Sequence, residues 1–332
     1  MRRLLPIFIF LTVQVGCVAQ FIPNNAQAFQ FMHLYNPAFT GIESYHDLKV
    51  SYRYQWSGLG SDAPKFMNLS FVTRLKQPMD LQYHALRSGN PAAADSRNYP
   101  KSRTIIHGLG VNVFHETFGA VKRVGAGVQY GFHYALSKHT RLAAGVGVTY
   151  DSKSLDFNKI TVSDDNDPYY NQLAAAGANT STINGRAGIL VYSQAFYVGF
   201  SYLKAWNTVL QSADVSEEQP LYMGTAQAGV TLRVSPDFVL RPSVLALLPT
   251  AGDIQLDYNL KAYIQERLWI GASYRAVESL VAMAGFQIND ALGFSYAYET
   301  SMNGFKQFSD GSHELVLGIR LNNFKRQRPW VW

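Results

Sequence analysis

Residues 48–56 read LKVSYRYQW, a stretch in which apolar or aromatic side chains alternate with polar ones. Successive side chains of a β-strand point to opposite sides, so a period of two predicts a strand with one apolar and one polar face. The same alternation recurs in residues 123–134, 140–151, 254–264 and 314–321. The sequence therefore predicts an all-β protein built from two-faced strands.

The length and the ends of the apolar stripes indicate where these strands lie. The stripes are about 9–11 residues long, which is the length that a tilted strand needs to cross a bilayer. Their ends carry Tyr, Phe or Trp, as in the aromatic girdles of membrane barrels, while the opposite faces are rich in Gly and carry isolated charges. The chain has 26 Gly, 20 Tyr and 20 Phe but only 16% charged residues. We predict a transmembrane antiparallel β-barrel of about 14 strands, with a secreted soluble β-sandwich as the alternative.

The connections between the predicted strands differ at the two ends of the barrel. The strands are assigned to residues 46–56, 65–74, 104–114, 121–135, 140–151, 185–192, 196–204, 222–234, 238–248, 253–264, 268–275, 280–288, 292–299 and 313–322. The connections after the even-numbered strands from the fourth to the twelfth are short, and those after the fifth, seventh and thirteenth are long. This asymmetry is typical of outer-membrane barrels with both termini in the periplasm. Two connections depart from it, the short one after the eleventh strand and the long one over 75–103.

The N-terminus predicts export from the cytoplasm. A basic start and an apolar run over residues 4–13, too short for a membrane-spanning helix, predict a secretory signal peptide that is cleaved after Ala19. The alternative is lipoprotein processing at Cys17, although Gln14 stands where such signals usually carry Leu. The predicted organisation is a signal peptide at 1–19, an N-terminal periplasmic or plug segment at 20–45, the outer-membrane barrel at 46–322 and a C-terminal tail at 323–332.

Several classes of function have no support in the sequence. Cys17 is the single cysteine, which leaves no disulfide framework and no cysteine metal site. The net charge of +6 comes from scattered basic residues, so nucleic-acid binding is not expected. His313 and Glu314 are followed by Leu317 where a zinc protease needs its second His, and no G-x-S-x-G or phosphate-binding loop occurs. We therefore predict a protein that is not an enzyme and needs no cofactor.

One acidic stretch is a weak candidate for a calcium site. Asp164, Asp165 and Asp167 lie in a long connection, and hard oxygen ligands suit Ca²⁺. The stretch lacks the Gly of an EF-hand loop, which makes a solvated extracellular loop the simpler interpretation.

Several short motifs, in order along nearly the whole mature chain, resemble the PorP/SprF family of outer-membrane barrels associated with the type IX secretion system of Bacteroidota. Residues 36–41 resemble its N-P-A-x-x-G segment and residues 52–56 its Y-R-x-Q-W strand. Residues 268–275 resemble its L-W-x-G-x-x-Y-R strand, and residues 312–314 resemble its final S-H-E motif. The motif residues carried over are Asn36, Pro37, Gly41, Tyr52, Arg53, Gln55, Trp56, Trp269, Gly271, Tyr274, Arg275, His313 and Glu314.

The resemblance implies a non-catalytic role in the outer membrane. It implies that the barrel aids secretion or cell-surface attachment of cargo proteins, such as the adhesins of gliding motility. The implied partners are periplasmic ring components of the secretion system and the C-terminal domain of a cargo protein, besides the lipid of the outer membrane. Two alternatives remain open, a passive porin or small-molecule transporter and a structural barrel that links the outer membrane to periplasmic layers.

The candidate residues allow a structural and a functional interpretation. In residues 36–41, Asn, Pro and Gly predict a turn, with a plug or a periplasmic docking segment as the functional alternative. Arg53, Gln55 and Arg275 are predicted to face the lumen, where they form either a closing network of ion pairs and hydrogen bonds or a surface that contacts substrate. Because both signs of charge face inward, we predict a lumen too obstructed for a general porin.

The long connection over 75–103 is the other candidate for function. It is rich in basic residues and lies on the side where turns are normally short. The simpler interpretation is a flexible insertion. The functional hypothesis is that it forms, together with residues 21–45, the periplasmic face that meets the secretion machinery.

Overall fold

The structure is a computed structural model that describes residues 25–75, 105–137, 140–160, 179–211, 222–235, 237–250, 253–265, 267–276, 279–302 and 309–322. Four of the sequence-based predictions lie outside these residues. They are the signal peptide, the calcium candidate at Asp164, Asp165 and Asp167, nearly all of the connection over 75–103, and the C-terminal tail.

The described residues form a closed antiparallel barrel of 14 strands, which confirms the predicted fold class. The strands are β1 (His46–Tyr54), β2 (Lys65–Arg74), β3 (Ile105–Phe118), β4 (Val121–Ala135), β5 (Thr140–Leu155), β6 (Asn179–Ser193), β7 (Phe196–Gln211), β8 in two pieces (Tyr222–Val230 and Leu232–Ser235), β9 (Phe238–Pro249), β10 (Gln255–Ile264), β11 (Leu268–Arg275), β12 (Ser279–Gln287), β13 (Leu292–Ser301) and β14 (Ser312–Leu321). Each strand pairs with the next, and β14 pairs with β1, with Glu314 opposite Arg53. Closure leaves no free edge between the first and last strands.

We name the two ends of the barrel by their position relative to the chain termini. The terminal end is the one where β1 begins and β14 ends, and the distal end is the opposite one. Short helices occur at Ala28–Phe31, Met32–Tyr35 and Pro37–Phe39 before β1, at Ser57–Asp62 after β1 and at Phe157–Lys159 after β5. None of the helices in the described part of the chain is both long and apolar enough to cross a membrane.

The alternation predicted from the sequence is present in the strands. In β14, Leu315 and Leu317 are exposed on the outside, while Glu314 and Val316 between them are buried inside. An outward apolar belt of this kind is stable next to lipid, whereas its exposure to water would be unfavourable. The inward faces hold the polar and charged side chains.

Four strands extend four or more residues beyond their predicted distal ends, β13 extends two residues beyond its own, and β1 and β10 are each two residues shorter than predicted. Predicted strand ends at residues 114, 151 and 204 and a start at 185 are wrong, because β3, β5, β6 and β7 continue toward the distal end. In the extensions of β3, β5 and β6 most side chains are polar, so the backbone ladder continues where the apolar stripe has ended. β1 ends at Tyr54 instead of residue 56, since Trp56 has a positive φ of 49° that does not fit a strand.

The connection after β3 is also shorter than predicted. Phe118 and Val121 face each other across a two-residue turn at 119–120, in which Gly119 has a φ of +55°. A turn this tight requires positive φ, which Gly adopts without a steric penalty. The distal end therefore has a short connection after β3 as well as the one foreseen after β11.

Residues 25–45, named the inner segment from here on, run inside the barrel. All of them are buried except residues 30, 34 and 44, which are half-buried. The segment starts near Glu314 in the distal half and descends to the terminal end, where it continues into β1. Its apolar side chains, including Phe29, Met32 and Phe39, pack with Leu190 and other wall residues into the main hydrophobic core. The core of this barrel thus lies in its lumen.

Candidate functional site

The distal half of the lumen contains a buried cluster of five charged side chains. Arg53 pairs with Glu299 at 2.6 Å and with Glu314 at 3.4 Å. Arg275 pairs with Glu299 at 3.0 Å and with Asp257 at 3.2 Å. Buried charges are stable only when they are paired, and here each carboxylate has an arginine. We call these five residues the distal charge cluster.

Gln55 adds a further ligand to this cluster. With its carboxamide oxygen turned toward Arg53, Gln55 accepts hydrogen bonds from Nε at 3.0 Å and from Nη2 at 2.9 Å. Arg53, Gln55 and Arg275 therefore lie together in the lumen, joined through Glu299. This network ties β1, β10, β11, β13 and β14 together across the interior.

The distal charge cluster also holds the start of the inner segment. The Glu314 carboxylate accepts hydrogen bonds from the backbone N–H groups of Ala26 at 2.7 Å and Gln27 at 3.1 Å. Arg275 donates to the carbonyl oxygen of Asn25 at 3.4 Å. Hydrogen bonds that involve a charged group are stronger than neutral ones, so this end of the segment is firmly attached.

Asn36 fixes the middle of the inner segment to three strands. Its Oδ1 accepts from the backbone N–H of Ala38 at 2.9 Å, which caps the short helix at Pro37–Phe39. Its Nδ2 donates to the carbonyl oxygens of Ile189 on β6 and Phe200 on β7 and to Gln227 Oε1 on β8, at 3.1, 3.3 and 3.0 Å. The side chain is fully buried, and both its oxygen and its nitrogen are hydrogen-bonded inside the barrel.

A row of inward-facing glycines on consecutive strands makes room for residues 36–41. A Cβ added at any of four of them would lie 2.1–2.2 Å from an atom of the inner segment, far inside van der Waals contact. The atoms are Thr40 O for Gly108 on β3 and Gly131 on β4, Pro37 C for Gly145 on β5, and Asn36 Oδ1 for Gly188 on β6. These four glycines are called the glycine track.

Gly41 completes the fit at the end of this stretch. Its φ is +83°, a conformation that L side chains rarely adopt, and a Cβ on it would lie 2.4 Å from Gly108 Cα. The N-P-A-x-x-G motif is therefore a turn, as its residue types predicted, and the turn lies against the glycine track inside the lumen.

Polar side chains of the wall hold the remaining backbone of the inner segment. Arg186 donates to the carbonyl oxygen of Leu34 at 2.7 Å, and Ser201 and Thr225 donate to that of Tyr35 at 2.6 and 3.0 Å. Nearer the terminal end, Arg74 donates to the carbonyl oxygens of Gly41 at 2.8 Å and Ile42 at 2.5 Å, and the His133 ring contacts Thr40 O at 2.8 Å. Sequence reasoning did not identify these wall residues as partners of the inner segment. Their one signal is a polar side chain at an inward position of a strand.

Two ionisable side chains of the inner segment are far from their usual state. Burial, together with the positive charges of Lys49 and Arg186, lowers the pKa of the His33 imidazole to about 3. Burial likewise raises the pKa of the Tyr35 hydroxyl well above its usual value. Both groups are therefore neutral at pH 7.

The other inward motif residues lie closer to the terminal end than the distal charge cluster does. Trp269 packs edge to face on Phe29 of the inner segment, with 5.5 Å between ring centroids, and lies over Gly285. Gly271 lies beside Lys261, whose ammonium group is 3.6 Å from the Phe29 ring centroid. A cation over an aromatic face is stabilised when both are removed from water, so Lys261 and Phe29 attach the segment at this level.

The remaining motif residues are not part of the lumen. Tyr52 and His313 are on the outer face of β1 and β14, and Tyr274 stacks on Tyr258 outside the barrel. Trp56 lies just beyond β1 and contacts Phe118 edge to face, with centroids 5.9 Å apart. Each strand motif is divided between two faces because neighbouring side chains of a strand point in opposite directions.

Within the described part of the chain, no group of His, Cys, Asp and Glu side chains is arranged to hold a metal ion. The lumen instead contains a protein segment that is bonded along its length to the surrounding wall. Such an arrangement can fix and orient a chain segment, and it obstructs the path through the barrel.

A family model described as "Type IX secretion system membrane protein PorP/SprF" matches residues 18–319. No curated protein matches the chain. Among solved structures, similar ones are the Acinetobacter baumannii outer membrane protein Omp33 (10% identity, 85% of this chain and 100% of that chain, TM-score 0.46), the Ralstonia pickettii toluene transporter TbuX (10%, 86% and 92%, 0.48) and the Pseudomonas putida toluene transporter TodX (10%, 90% and 94%, 0.47).

Proposed function

Because the chain belongs to the PorP/SprF family of type IX secretion system membrane proteins, we propose that this outer-membrane barrel is a non-catalytic accessory of cargo secretion. It helps to deliver secreted proteins, such as the adhesins of gliding motility, or to attach them at the cell surface. Its partners are a C-terminal domain of the cargo and periplasmic ring components of the secretion system.

The observation that carries this proposal is the filled lumen. Asn36, Glu314 and the glycine track hold the inner segment inside the barrel through buried contacts at three levels. A barrel with this interior is suited to a role carried out by its ends and outer face, not to diffusion of solutes through it. The cargo role therefore fits the structure better than the porin alternative does.

The terminal end is the proposed site of contact with the periplasmic ring. Since the inner segment is buried, residues 25–45 do not supply the exposed docking face that the sequence suggested for them. The connection between β2 and β3 is left as the candidate. Its residues 76–104 contain five Lys or Arg and two Asp, an excess of positive charge that can steer an acidic partner.

A paired loop exchange tests the docking role. Replacing residues 80–99 by a short turn should abolish co-purification of the ring components and surface display of the cargo, while the barrel stays heat-modifiable on gels. Shortening the distal connection at 164–175 in the same way is the matched control and should leave both readouts intact. If display survives the first replacement unchanged, this connection is not the docking site.

Conductance in planar bilayers separates the proposal from the porin alternative. The wild-type barrel should give no large steady conductance, and a variant with residues 26–41 replaced by a Gly/Ser linker should open. A wild-type protein that conducts steadily at porin levels would overturn the proposal of an obstructed lumen, whatever the result of the loop exchange.

A further inference from the structure

An aromatic and basic patch lies on the outside of the barrel, where β14 closes onto β1. Tyr52, Tyr54, Lys65, Tyr296, His313 and Leu315 line a shallow cleft on this face, here named the seam patch. Tyr52 and His313 belong to motifs singled out in the sequence, yet neither contributes to the lumen. The cleft lies at the distal ends of β1, β2, β13 and β14.

The register of the strands sets the geometry of the seam patch. His313 and Lys65 flank Tyr54 on its two neighbouring strands. The Lys65 ammonium group lies 5.8 Å from the centroid of the Tyr54 ring. The His313 Nδ1 and the Tyr296 hydroxyl are hydrogen-bonded at 2.7 Å. Two strand spacings of about 4.8 Å separate the backbones of His313 and Lys65, so one small anionic group can reach both side chains.

The seam patch has groups that are free to bind a ligand. Within the residues that the structure describes, no carboxylate pairs with Lys65, and neither the Tyr52 hydroxyl nor His313 Nε2 has a hydrogen-bond partner. On β3, His115 is exposed and lies opposite Met67, which is two residues from Lys65 along β2. Three basic side chains thus face outward at this rim.

Toward the terminal end, the next row of outward side chains is entirely apolar. It runs across five strands and consists of Phe294, Leu317, Val50, Leu69 and Val113. The seam patch therefore stands at the border of the apolar belt, at the level where the polar headgroups of a bilayer begin.

We propose that the seam patch binds the phosphorylated headgroup of a glycolipid, of the lipid A type, in the outer leaflet. The distal end faces this leaflet when both termini are periplasmic. Lys65 neutralises a phosphate, and His313 and Tyr52 donate hydrogen bonds to it. The acyl chains lie on the apolar row below. The continuous passage from basic patch to apolar belt, with no polar rim between them, favours a lipid over a protein domain as the occupant.

Lipid binding to the delipidated, detergent-purified full-length barrel tests the proposal. Bisphosphorylated lipid A should bind and raise the unfolding temperature, and the dephosphorylated lipid should bind more weakly. Lys65→Gln should weaken binding of the bisphosphorylated lipid about fivefold, the effect of one lysine near an anionic membrane surface. Lys65→Arg keeps the charge and should restore binding. Arg267→Gln is the matched control, since this exposed residue loses the same charge in the β10–β11 turn at the terminal end.

Three outcomes would overturn the proposal. They are equal binding of the phosphorylated and dephosphorylated lipids, unchanged binding by Lys65→Gln, and equally tight binding of phosphatidylglycerol, which would make the patch a general anion site. Heat-modifiability on gels checks that each variant is folded. Should Lys65→Gln fail to fold, His313→Gln replaces it, with the same lipids and the same expected direction.

Discussion

The Glu314 carboxylate accepts a 2.7 Å hydrogen bond from the backbone N–H of Ala26, a residue 288 positions earlier in the chain. The same carboxylate is paired with Arg53 on the neighbouring strand. One side chain on the last strand therefore joins the first described residues of the inner segment to the first strand. Because its charge is fully buried, this contact is strong only while both of its partners are present.

Glu314→Gln should loosen the distal part of the inner segment. Glutamine keeps the size of the side chain but removes the charge that pairs with Arg53, and losing one partner of a buried ion pair typically costs about 3–5 kcal/mol. Hydrogen exchange of the backbone amides of residues 26–31 in the folded barrel measures the effect. Asp156→Asn is the control, because it removes a carboxylate from a solvent-exposed pair with Lys122. Equal exchange in the wild type and Glu314→Gln would contradict the role given to this contact.

Gly188→Ala should disturb the packing around the Asn36 side chain. The added methyl group would lie 2.1 Å from Asn36 Oδ1, so the inner segment or β6 must shift. Overpacking of this kind typically costs about 1–3 kcal/mol. The measurement is the denaturant midpoint of unfolding, together with exchange of the amides of residues 36–41.

Gly318→Ala is the matched control for this substitution. Gly318 is a strand glycine as well, but its added Cβ would find its nearest neighbours at 3.9 and 4.0 Å, which is ordinary contact. Both variants lose the same backbone freedom, so a difference between them reports the fit against the inner segment. If the two variants unfold alike, the close approach at Gly188 is not a constraint on the fold.

Leu317 and Gly318 give a direct test of which face meets lipid. Leu317 is 38% exposed on the outside of β14, and Gly318 follows it on the inward face. In intact membranes, Leu317→Cys should resist a water-soluble maleimide, and Leu317→Arg should destabilise the barrel by about 2–4 kcal/mol near the midplane of the bilayer. Ready labelling of Leu317→Cys with no labelling of Gly318→Cys would mean that the faces are reversed.

The strands could be predicted from the sequence because a membrane imposes a regular pattern on them. In β14, outward leucines alternate with inward Glu314, Val316 and Gly318, and this period is visible without any structure. The distal extensions carry no such signal. Residues 180–182 of β6 read TST, and a ladder with two polar faces cannot be told from a polar loop by periodicity.

The position of the inner segment in the lumen could not be predicted from the sequence, although the turn within it could. Asn, Pro and Gly in residues 36–41 indicate a turn from their own chemistry. The acceptors of Asn36, however, are 153, 164 and 191 residues away, on three different strands. The glycine track indicates only that something lies close to the inward face of β3–β6. Which segment fills that space depends on the closed barrel as a whole.

His33 makes the attachment of the inner segment sensitive to acid. Its pKa is about 3 in the folded protein, against 6.5 for an unperturbed histidine, because the ring is buried away from water and the positive charges of Lys49 and Arg186 disfavour its protonation. A released segment binds a proton that the packed segment excludes. The contribution of neutral His33 to stability is therefore complete above pH 6.5 and falls by about 1.4 kcal/mol per pH unit below it, until about pH 3.

His33→Gln should reduce this acid sensitivity, since glutamine stays neutral throughout. Amide exchange of residues 28–35, compared at pH 7.5 and 4.5 after correction for intrinsic rates, should show a larger loss of protection in the wild type than in the variant. His313→Gln is the control, because this histidine is on the outer face and should leave the difference unchanged. Other acidic groups of the barrel also respond to pH, so the comparison between variants is decisive and the absolute slope is not. Identical pH dependence in the wild type and His33→Gln would show that proton exclusion at His33 does not control the inner segment.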